Sequence, residues 1–185
     1  MSEEKFQSPQ IENVVASGSI ADSIDLEMLS AKMEHYDLNK KRFPGAVLHL
    51  QNPKVAVLIF SSGKVVITGA KSPEDLVRGQ AILIQKMKEA GVICHDTPTV
   101  AITNMVCSYD MGKYINLNKV VITLNLENIE YEPEQFPGLV YRIKEPKIVA
   151  LLFSSGKIIL TGGKTMEEVE RGVVFLEQKL GKILL

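Results

Sequence analysis

The sequence predicts an α+β protein made of two matching halves, and three observations carry this prediction. The phrase LIFSSGKVVITGAKS returns 93 residues later as LLFSSGKIILTGGKT. An ungapped alignment of Phe43–Gly91 with Phe136–Leu184 holds 21 identities in 49 positions. Each half also contains short β-rich runs followed by a helical pattern. Two copies are too few for an open solenoid, so we expect one pseudo-symmetric body with repeats at residues 9–96 and 97–185, joined near Thr97-Pro98.

The first half opens with a strand and a helix. IENVVASGSI has the composition of a strand, and SIDLEMLSAKM has apolar residues at helical spacing. Ser23 is a suitable N-cap for that helix. Three β-rich runs follow, AVLHL, VAVLIF and KVVITG, separated by Asn52-Pro53 and by a Ser-Ser-Gly turn. Such tight links favour an antiparallel meander.

A long helix closes each half. In the first half Ser72 caps it, Pro73 takes its first position, and Gly91 ends it. Helices that follow strands in this order suit an α+β protein with its helices on one side of the sheet.

Composition bounds the class of protein. Apolar residues make up 45% of the chain and charged residues 23%, which is ordinary for a globular protein. No run approaches the roughly 18 apolar residues of a transmembrane helix, and MSEEKFQSPQ lacks the apolar core of a signal peptide. Cys94 and Cys107 show no CxxC spacing, which predicts a reducing, cytoplasmic location.

The net charge of −1 conceals a partition of charge along the chain. Residues 43–73 contain three lysines and no acid, and residues 136–166 contain five cations against Glu145 alone. The acidic residues collect outside these segments. One basic surface on a neutral protein permits contact with phosphates.

The strands carry apolar residues on both faces. In KVVITG, Val66 and Thr68 point to one side while Val65 and Ile67 point to the other. The two helices of each half can cover only one side. The other side is then a large apolar surface with a few hydroxyl and amide groups, and such a surface usually binds something.

Two sets of motifs in this chain resemble the TATA-box-binding protein family, in its archaeal form. They read FPG…PK…LIFSSGK…TGAK and FPG…PK…LLFSSGK…TGGK, each preceded by an I-x-N-x-V strand. The resemblance runs from about Pro9 to the end of the chain. It implies a saddle: a curved ten-stranded antiparallel sheet with four helices on its convex side and a concave side that sits on the minor groove of promoter DNA.

The resemblance also implies a role for individual residues. It places four phenylalanines as wedges between base steps: Phe43, Phe60, Phe136 and Phe153. The positions that would read the groove are Asn13, Val15, Leu58, Val66, Thr68, Asn104, Val106, Leu151, Ile159 and Thr161. The positions that would reach phosphates are Arg42, Ser62, Lys64, Lys71, Arg142, Ser155, Lys157 and Lys164. His49 departs from the family's pattern, because it stands where the second half has a basic arginine.

Partners follow from the same resemblance. The acidic loop before the second FPG, with Glu132, Glu134 and Gln135, would contact transcription factor B, which would bring RNA polymerase. The corresponding first-half loop is basic, so only one loop offers the acidic surface. An apolar underside also predicts association with a second copy when DNA is absent. No cofactor is expected.

Other interpretations of the motifs have less support from the sequence. The SSGK turn lacks the leading glycine and the final hydroxyl of a P-loop, and the three histidines show no metal-binding spacing. No Ser/His/Asp set can be chosen from the sequence, so we expect no enzyme. The alternative is a saddle domain without TATA specificity, either an accessory that grips nucleic acid or a module whose apolar face binds another protein.

Overall fold

The computed structural model describes residues 8–124 and 128–183. The chain forms strands and helices in two similar series. The first series comprises β1 (Gln10–Ala21), α1 (Leu26–Lys32), β2 (Tyr36–Leu38), β3 (Ala46–Gln51), β4 (Lys54–Ile59), β5 (Lys64–Ala70) and α2 (Pro73–Glu89). The second series comprises β6 (Cys94–Asp110), α3 (Leu117–Leu124), β7 (Ile129–Glu130), β8 (Leu139–Ile143), β9 (Ile148–Leu152), β10 (Lys157–Gly163) and α4 (Met166–Gly181).

The chain divides into two compact units. Among the described residues, the N-terminal unit is Asn13–Thr103, and the C-terminal unit combines residues 104–183 with residues 8–12. In the N-terminal unit the strand order is β2-β3-β4-β5-β1, and in the C-terminal unit it is β6-β10-β9-β8-β7. The pairings within each unit are antiparallel. The predicted fold class, an α+β protein of two repeats with antiparallel sheet, is confirmed.

Alternation of side chains gives each sheet one buried face. Val57, Ile67 and Ala16 are neighbours across β4, β5 and β1, and all three are fully buried. The long helices lie against this face: a Cβ added at Gly79 of α2 would stand 3.2 Å from Val55 Cγ2, and one at Gly172 of α4 would stand 3.1 Å from a methyl of Ile148. The opposite face of each sheet is only partly covered.

Capping residues set the starts of the helices. The Ser72 hydroxyl accepts a hydrogen bond from the Asp75 N–H at 3.1 Å, and Pro73 takes the first helical position of α2, as predicted. Thr165 caps α4 in the same way. The prediction of Ser23 as the cap of α1 was wrong, because Asp25 accepts from the N–H groups of Glu27 and Met28.

The two SSGK turns bring the wedge positions to the strand ends. Phe60 N–H donates to Lys64 O at 2.9 Å, and Gly63 N–H donates to Phe60 O at 3.0 Å. Gly63 has φ +91°, and a Cβ there would meet Ala21 O at 1.8 Å. The second turn repeats this geometry at Gly156, with φ +97°. Glycine is required at both positions by conformation and by space.

The expected junction at Thr97-Pro98 lies within β6, which continues through it. The repeat boundaries at residues 9–96 and 97–185 remain a proposal based on the sequence repeat, since the compact units divide inside β1 and β6 instead. Among the described residues, no helix is both long and apolar enough to span a membrane.

Candidate nucleic-acid interface

Each unit presents a partly exposed row of three apolar residues and one serine on the sheet face that lies away from its helices; we call these surfaces the open faces. In the N-terminal unit the row consists of cross-strand neighbours Val47, Leu58, Val66 and Ser17. In the C-terminal unit it consists of Val140, Leu151, Ile159 and Ser108. Val15 and Val106 are partly exposed in the same way. The exposed apolar surface expected from strand alternation is therefore present in both units.

A β-bulge builds a polar cluster on the N-terminal open face. Val14 pairs with Ala70 and Ala16 pairs with Ile67, so β5 carries one extra residue over this interval. Gly69 takes φ +95° there, and its N–H donates to Asn13 Oδ1 at 2.7 Å. The Asn13 amide then donates to Thr68 Oγ1 at 3.1 Å.

The C-terminal open face carries the same cluster on its own bulge. Gly162 N–H donates to Asn104 Oδ1 at 2.6 Å, and Asn104 Nδ2 donates to Thr161 Oγ1 at 3.1 Å. The Thr161 hydroxyl also stands 3.3 Å from Asn104 Oδ1. The structure thus brings the predicted asparagine and threonine together in each unit, together with a glycine that the sequence did not single out.

These hydrogen bonds decide which groups face outward. A backbone N–H can only donate, so it fixes each asparagine's oxygen inward and its nitrogen toward the threonine. The amide keeps one further N–H, and the threonine hydroxyl can turn its proton outward. Each cluster therefore offers donors. The minor groove of A·T pairs presents only acceptors, whereas guanine adds an amino donor.

The four predicted wedge residues form two aromatic pairs. Phe43 and Phe60 pack edge to face with ring centroids 5.5 Å apart, and Phe136 and Phe153 do so at 5.9 Å. Phe136 is 40% exposed, which is unusual for a ring of this size.

The glycine of each FPG motif makes room for its pair. A Cβ at Gly45 would lie 3.0 Å from Phe43 Cε1, and a Cβ at Gly138 would lie 2.8 Å from Phe136 Cε1. Each pair is a partly exposed aromatic contact beside the end of a strand.

Cationic and hydroxyl side chains border the open faces. Exposed positions include Arg42, Ser62, Lys64, Lys71, Arg142, Ser155, Lys157 and Lys164. Arg142 contacts Glu130 at 3.7 Å, and both side chains are more than half exposed. Such a pair contributes about 0–1 kcal/mol, so a phosphate can displace Glu130 at little cost.

Two basic grooves contain lysines of the basic segments to which the sequence prediction gave no phosphate contact. In the C-terminal unit Lys144 and Lys147 line a groove of about 570 Å³ together with Arg142 and Lys164. In the N-terminal unit Lys54 lines a similar groove with Lys71. Strand alternation was the available signal, since Val140, Arg142 and Lys144 stand two residues apart and share one side.

The loops before the two FPG motifs differ in charge and in contacts. Glu132, Glu134 and Gln135 are exposed, and Glu132 O accepts from the N–H groups of Gln135 and Phe136 at 3.0 Å. In the first repeat Lys40 contacts Glu27 of α1 at 2.6 Å. The acidic side chains of the second loop thus face solvent.

The two cysteines are free thiols, and burial raises the pKa of both. Burial, with a smaller effect of Glu12, raises the pKa of Cys107 to about 11, so its thiol stays protonated at neutral pH. Burial also raises the pKa of Cys94. Within residues 8–124 and 128–183, no group of three or more His, Cys, Asp or Glu could hold a metal ion.

Known proteins match this chain over nearly its full length. The family model described as "Transcription factor TFIID (or TATA-binding protein, TBP)" matches residues 8–90 and 99–183. The TATA-box-binding protein of Thermoplasma volcanium is 46% identical over 173 residues, covering 94% of each chain. TATA-box-binding protein 1 of Methanosarcina acetivorans is 49% identical over 171 residues, covering 92% of this chain and 93% of that protein. The solved structure of Methanococcus jannaschii TBP aligns with a TM-score of 0.85 at 42% identity, covering 95% of this chain and 99% of that chain.

Proposed function

The chain belongs to the TATA-binding protein family, a family of transcription initiation, and on that premise we propose that it binds and bends the TATA box of promoters through the minor groove. The open faces are the DNA-binding surface. The protein recruits transcription factor B and, through it, RNA polymerase. It acts in the cytoplasm, at the nucleoid, without a cofactor and without enzymatic activity.

One observation carries this proposal above the others: the two matched clusters that present donors from a mainly apolar face. Asn13 with Thr68, and Asn104 with Thr161, complement the acceptors of A·T pairs. A guanine amino group placed there would meet donors or apolar side chains and would lose its hydrogen bonds. The half-exposed valines and leucines around the clusters fit the floor of an A·T groove, which lacks that protruding group.

The phenylalanine pairs supply the deformation. An apolar ring at the end of each strand pair can enter between base steps and unstack them. Pyrimidine–purine steps such as TA unstack most easily, so bending adds selectivity at steps that no donor contacts. Cations around the open faces then hold the phosphates.

Direct binding tests this function. A labelled duplex with a TATA box is compared, by fluorescence anisotropy at one stated salt concentration, with the same duplex whose box is changed to G·C. We expect clear preference for the TATA duplex and its loss when Phe43 and Phe136 become alanine. The matched control is Phe175→Leu, because Phe175 packs on Tyr141 rather than on a wedge partner. Equal weak binding to both duplexes would contradict the proposal and would favour a protein-binding module.

The contact with transcription factor B has a separate test. The exposed carboxylates of Glu132 and Glu134 attract a basic surface of that factor. The double variant Glu132→Lys, Glu134→Lys should keep TATA binding but lose the further rise in anisotropy when transcription factor B is added. Glu167→Lys with Glu170→Lys on α4 is the matched control. If the ternary complex forms equally well with both variants, Glu132 and Glu134 do not bind transcription factor B.

A further inference from the structure

The second repeat carries a cationic groove that extends from its open face. Arg142 and Lys144 continue the side of β8 that Val140 occupies, and Lys147 precedes β9 on the side of Val149. Lys164 follows β10 and lines the same groove of about 570 Å³. Among the described residues, the lining contains no carboxylate. The groove lies at the end of the β8–β9 hairpin that is remote from the Phe136–Phe153 pair, because Phe136 precedes β8 and Phe153 follows β9.

The corresponding groove of the first repeat is less charged. There His49, Gln51 and Lys54 occupy the positions of Arg142, Lys144 and Lys147, and Lys71 that of Lys164. Its volume is also about 570 Å³. With histidine counted as neutral, the first groove has two cations and the second has four. The two repeats thus share a shape and differ in charge.

We propose that Lys144 and Lys147 bind DNA phosphates and that this groove makes the second repeat the stronger electrostatic grip on the duplex. This inference rests on the proposed function and names the backbone contacts of that same surface. A concave groove lined by four cations on one face concentrates positive potential where a polyanion must pass. Gly162 of the C-terminal cluster lies in the lining of this groove together with the four cations, so the occupant that fits the groove is the sugar–phosphate backbone beside the bases that the cluster would read.

The contact between Glu130 and Arg142 fits this role. Arg142 Nε lies 3.7 Å from Glu130 Oε1, and both side chains are exposed. When a phosphate displaces the Glu130 carboxylate from Arg142, water can hydrate that carboxylate. Lys144 and Lys147 can attract the same phosphates. Because the described lining of the groove contains no carboxylate, they do not have to break an ion pair within the groove, as Arg142 does with Glu130. These two lysines should therefore contribute fully to the salt dependence of binding.

The salt dependence measures this contribution directly. Each phosphate contact adds about 0.9 to the slope of log K against log salt concentration on duplex DNA. Anisotropy titrations of the TATA duplex at four salt concentrations should give a slope that is smaller by roughly 1.8 in Lys144→Gln, Lys147→Gln. The preference for TATA over G·C should stay unchanged, because phosphate contacts carry no base information.

Two further variants serve as a control and as the reverse test. Lys119→Gln with Lys179→Gln removes two exposed lysines from helices α3 and α4 and should leave the slope as in the wild type. Gln51→Lys adds to the first groove the cation that the second has, and the slope should rise by roughly 0.9. A wild-type slope in the Lys144, Lys147 variant, or an equal drop in the helix variant, would overturn the inference while TATA preference stands. Loss of TATA preference in the wild type would overturn the proposed function itself.

Discussion

At the scale of single residues, the proposed recognition depends on which atoms of the two polar clusters face outward. Gly69 and Gly162 donate their N–H groups to the asparagine oxygens at 2.7 and 2.6 Å. Without these bonds an asparagine could turn either its oxygen or its nitrogen outward, and an outward oxygen would repel the acceptors of an A·T groove. The bulge in each sheet therefore determines whether the cluster presents hydrogen-bond donors or acceptors on the proposed DNA-binding face.

Removing one hydroxyl tests this arrangement. Thr161→Val keeps the shape of the side chain, but it leaves Asn104 Nδ2 without its 3.1 Å acceptor and the groove without a donor. We expect discrimination of TATA from G·C to fall about fivefold, since such a bond contributes about 1 kcal/mol. Competition binding measures this ratio, with Thr123→Val on α3 as the matched control. If Thr161→Val discriminates as well as the wild type, the Asn104–Thr161 cluster does not read the bases.

The buried thiol of Cys107 predicts a pH dependence of stability. An unfolded thiol has its ordinary pKa of 9.0, whereas burial, followed by Glu12, raises the pKa of Cys107 to about 11 in the fold. Between these values the unfolded chain loses a proton that the folded chain keeps, so stability is complete below about pH 9 and is lost as pH rises toward 11. Urea midpoints from pH 8 to 11 should fall less steeply in Cys107→Ala. Parallel curves for both proteins would contradict this assignment.

Most of the candidate site residues could be chosen from the sequence because the repeat supplied each of them twice. A single asparagine in a strand is usually an edge residue, but Asn13 and Asn104 beside matched threonines stand out as a pair. Lys144 was not assigned a phosphate contact because the first repeat has Gln51, not a cation, at the matching position. Lys147 and its match Lys54 were counted only among the cations of the basic segments, because the sequence does not show that they line grooves. The glycine donors could not be predicted at all, since they depend on the register between strands that are about 55 residues apart.

At the scale of elements, the tight turns determine how the wedge residues are held. Each SSGK turn closes a hairpin, and its glycine lies close to another part of the backbone: Gly63 against Ala21, and Gly156 against Lys113. Each turn therefore determines the path of its hairpin and packs closely against a second backbone segment, at Ala21 or Lys113. Phe60 and Phe153 immediately precede these turns, so their positions depend on the same glycines.

Alanine at Gly63 should be strongly destabilising. The residue has φ +91°, and an added Cβ would stand 1.8 Å from Ala21 O. The left-handed conformation costs about 1–2 kcal/mol for alanine, and the overlap adds about 1–3 kcal/mol. Gly112→Ala is the control, because Gly112 also has positive φ, at +72°, but has nothing within 4 Å. Urea unfolding should show a loss about twice as large or more at Gly63, and equal losses would contradict the steric argument.

The long elements could be predicted from the sequence, and the short ones could not. Strand alternation in β3 to β5 and the Ser72-Pro73 start of α2 agree with the structure. Strands β2 and β7 have three and two residues, which is too short for any period to show. The start of α1 was misplaced because Ser23 and Asp25 are both good caps, and the choice between them depends on where the incoming backbone turns.

At the scale of the whole molecule, the two open faces leave apolar surface in contact with water when DNA is absent. Their valines, leucines and isoleucines are partly exposed in both units, and so are the phenylalanine pairs. Covering such a surface is favourable by about 25 cal/mol per Å² of apolar area. DNA is the proposed occupant, and a second copy of the chain offers the same apolar chemistry.

Self-association should therefore depend on DNA. In sedimentation velocity the free protein should shift toward a dimer as its concentration rises, and a TATA duplex should return it to one copy per duplex. Leu58→Lys with Leu151→Lys should weaken the dimer, because each substitution places a charge in the apolar row. Lysine substitutions at exposed Val77 of α2 and Val174 of α4 are the control. A dimer that survives with DNA bound would show that another surface joins the copies.

The central claim is that the chain reads A·T pairs from the minor groove, and base analogues test it most directly. An inosine·cytosine pair keeps the major-groove pattern of G·C but lacks the amino group of guanine in the minor groove, so there it resembles A·T. Anisotropy titrations at fixed salt would compare a TATA box, the same box rebuilt from inosine·cytosine pairs, and the box rebuilt from G·C pairs. We predict that the inosine box binds nearly as well as TATA and far better than G·C. Inosine binding as weak as that of G·C would place recognition in the major groove and contradict the account.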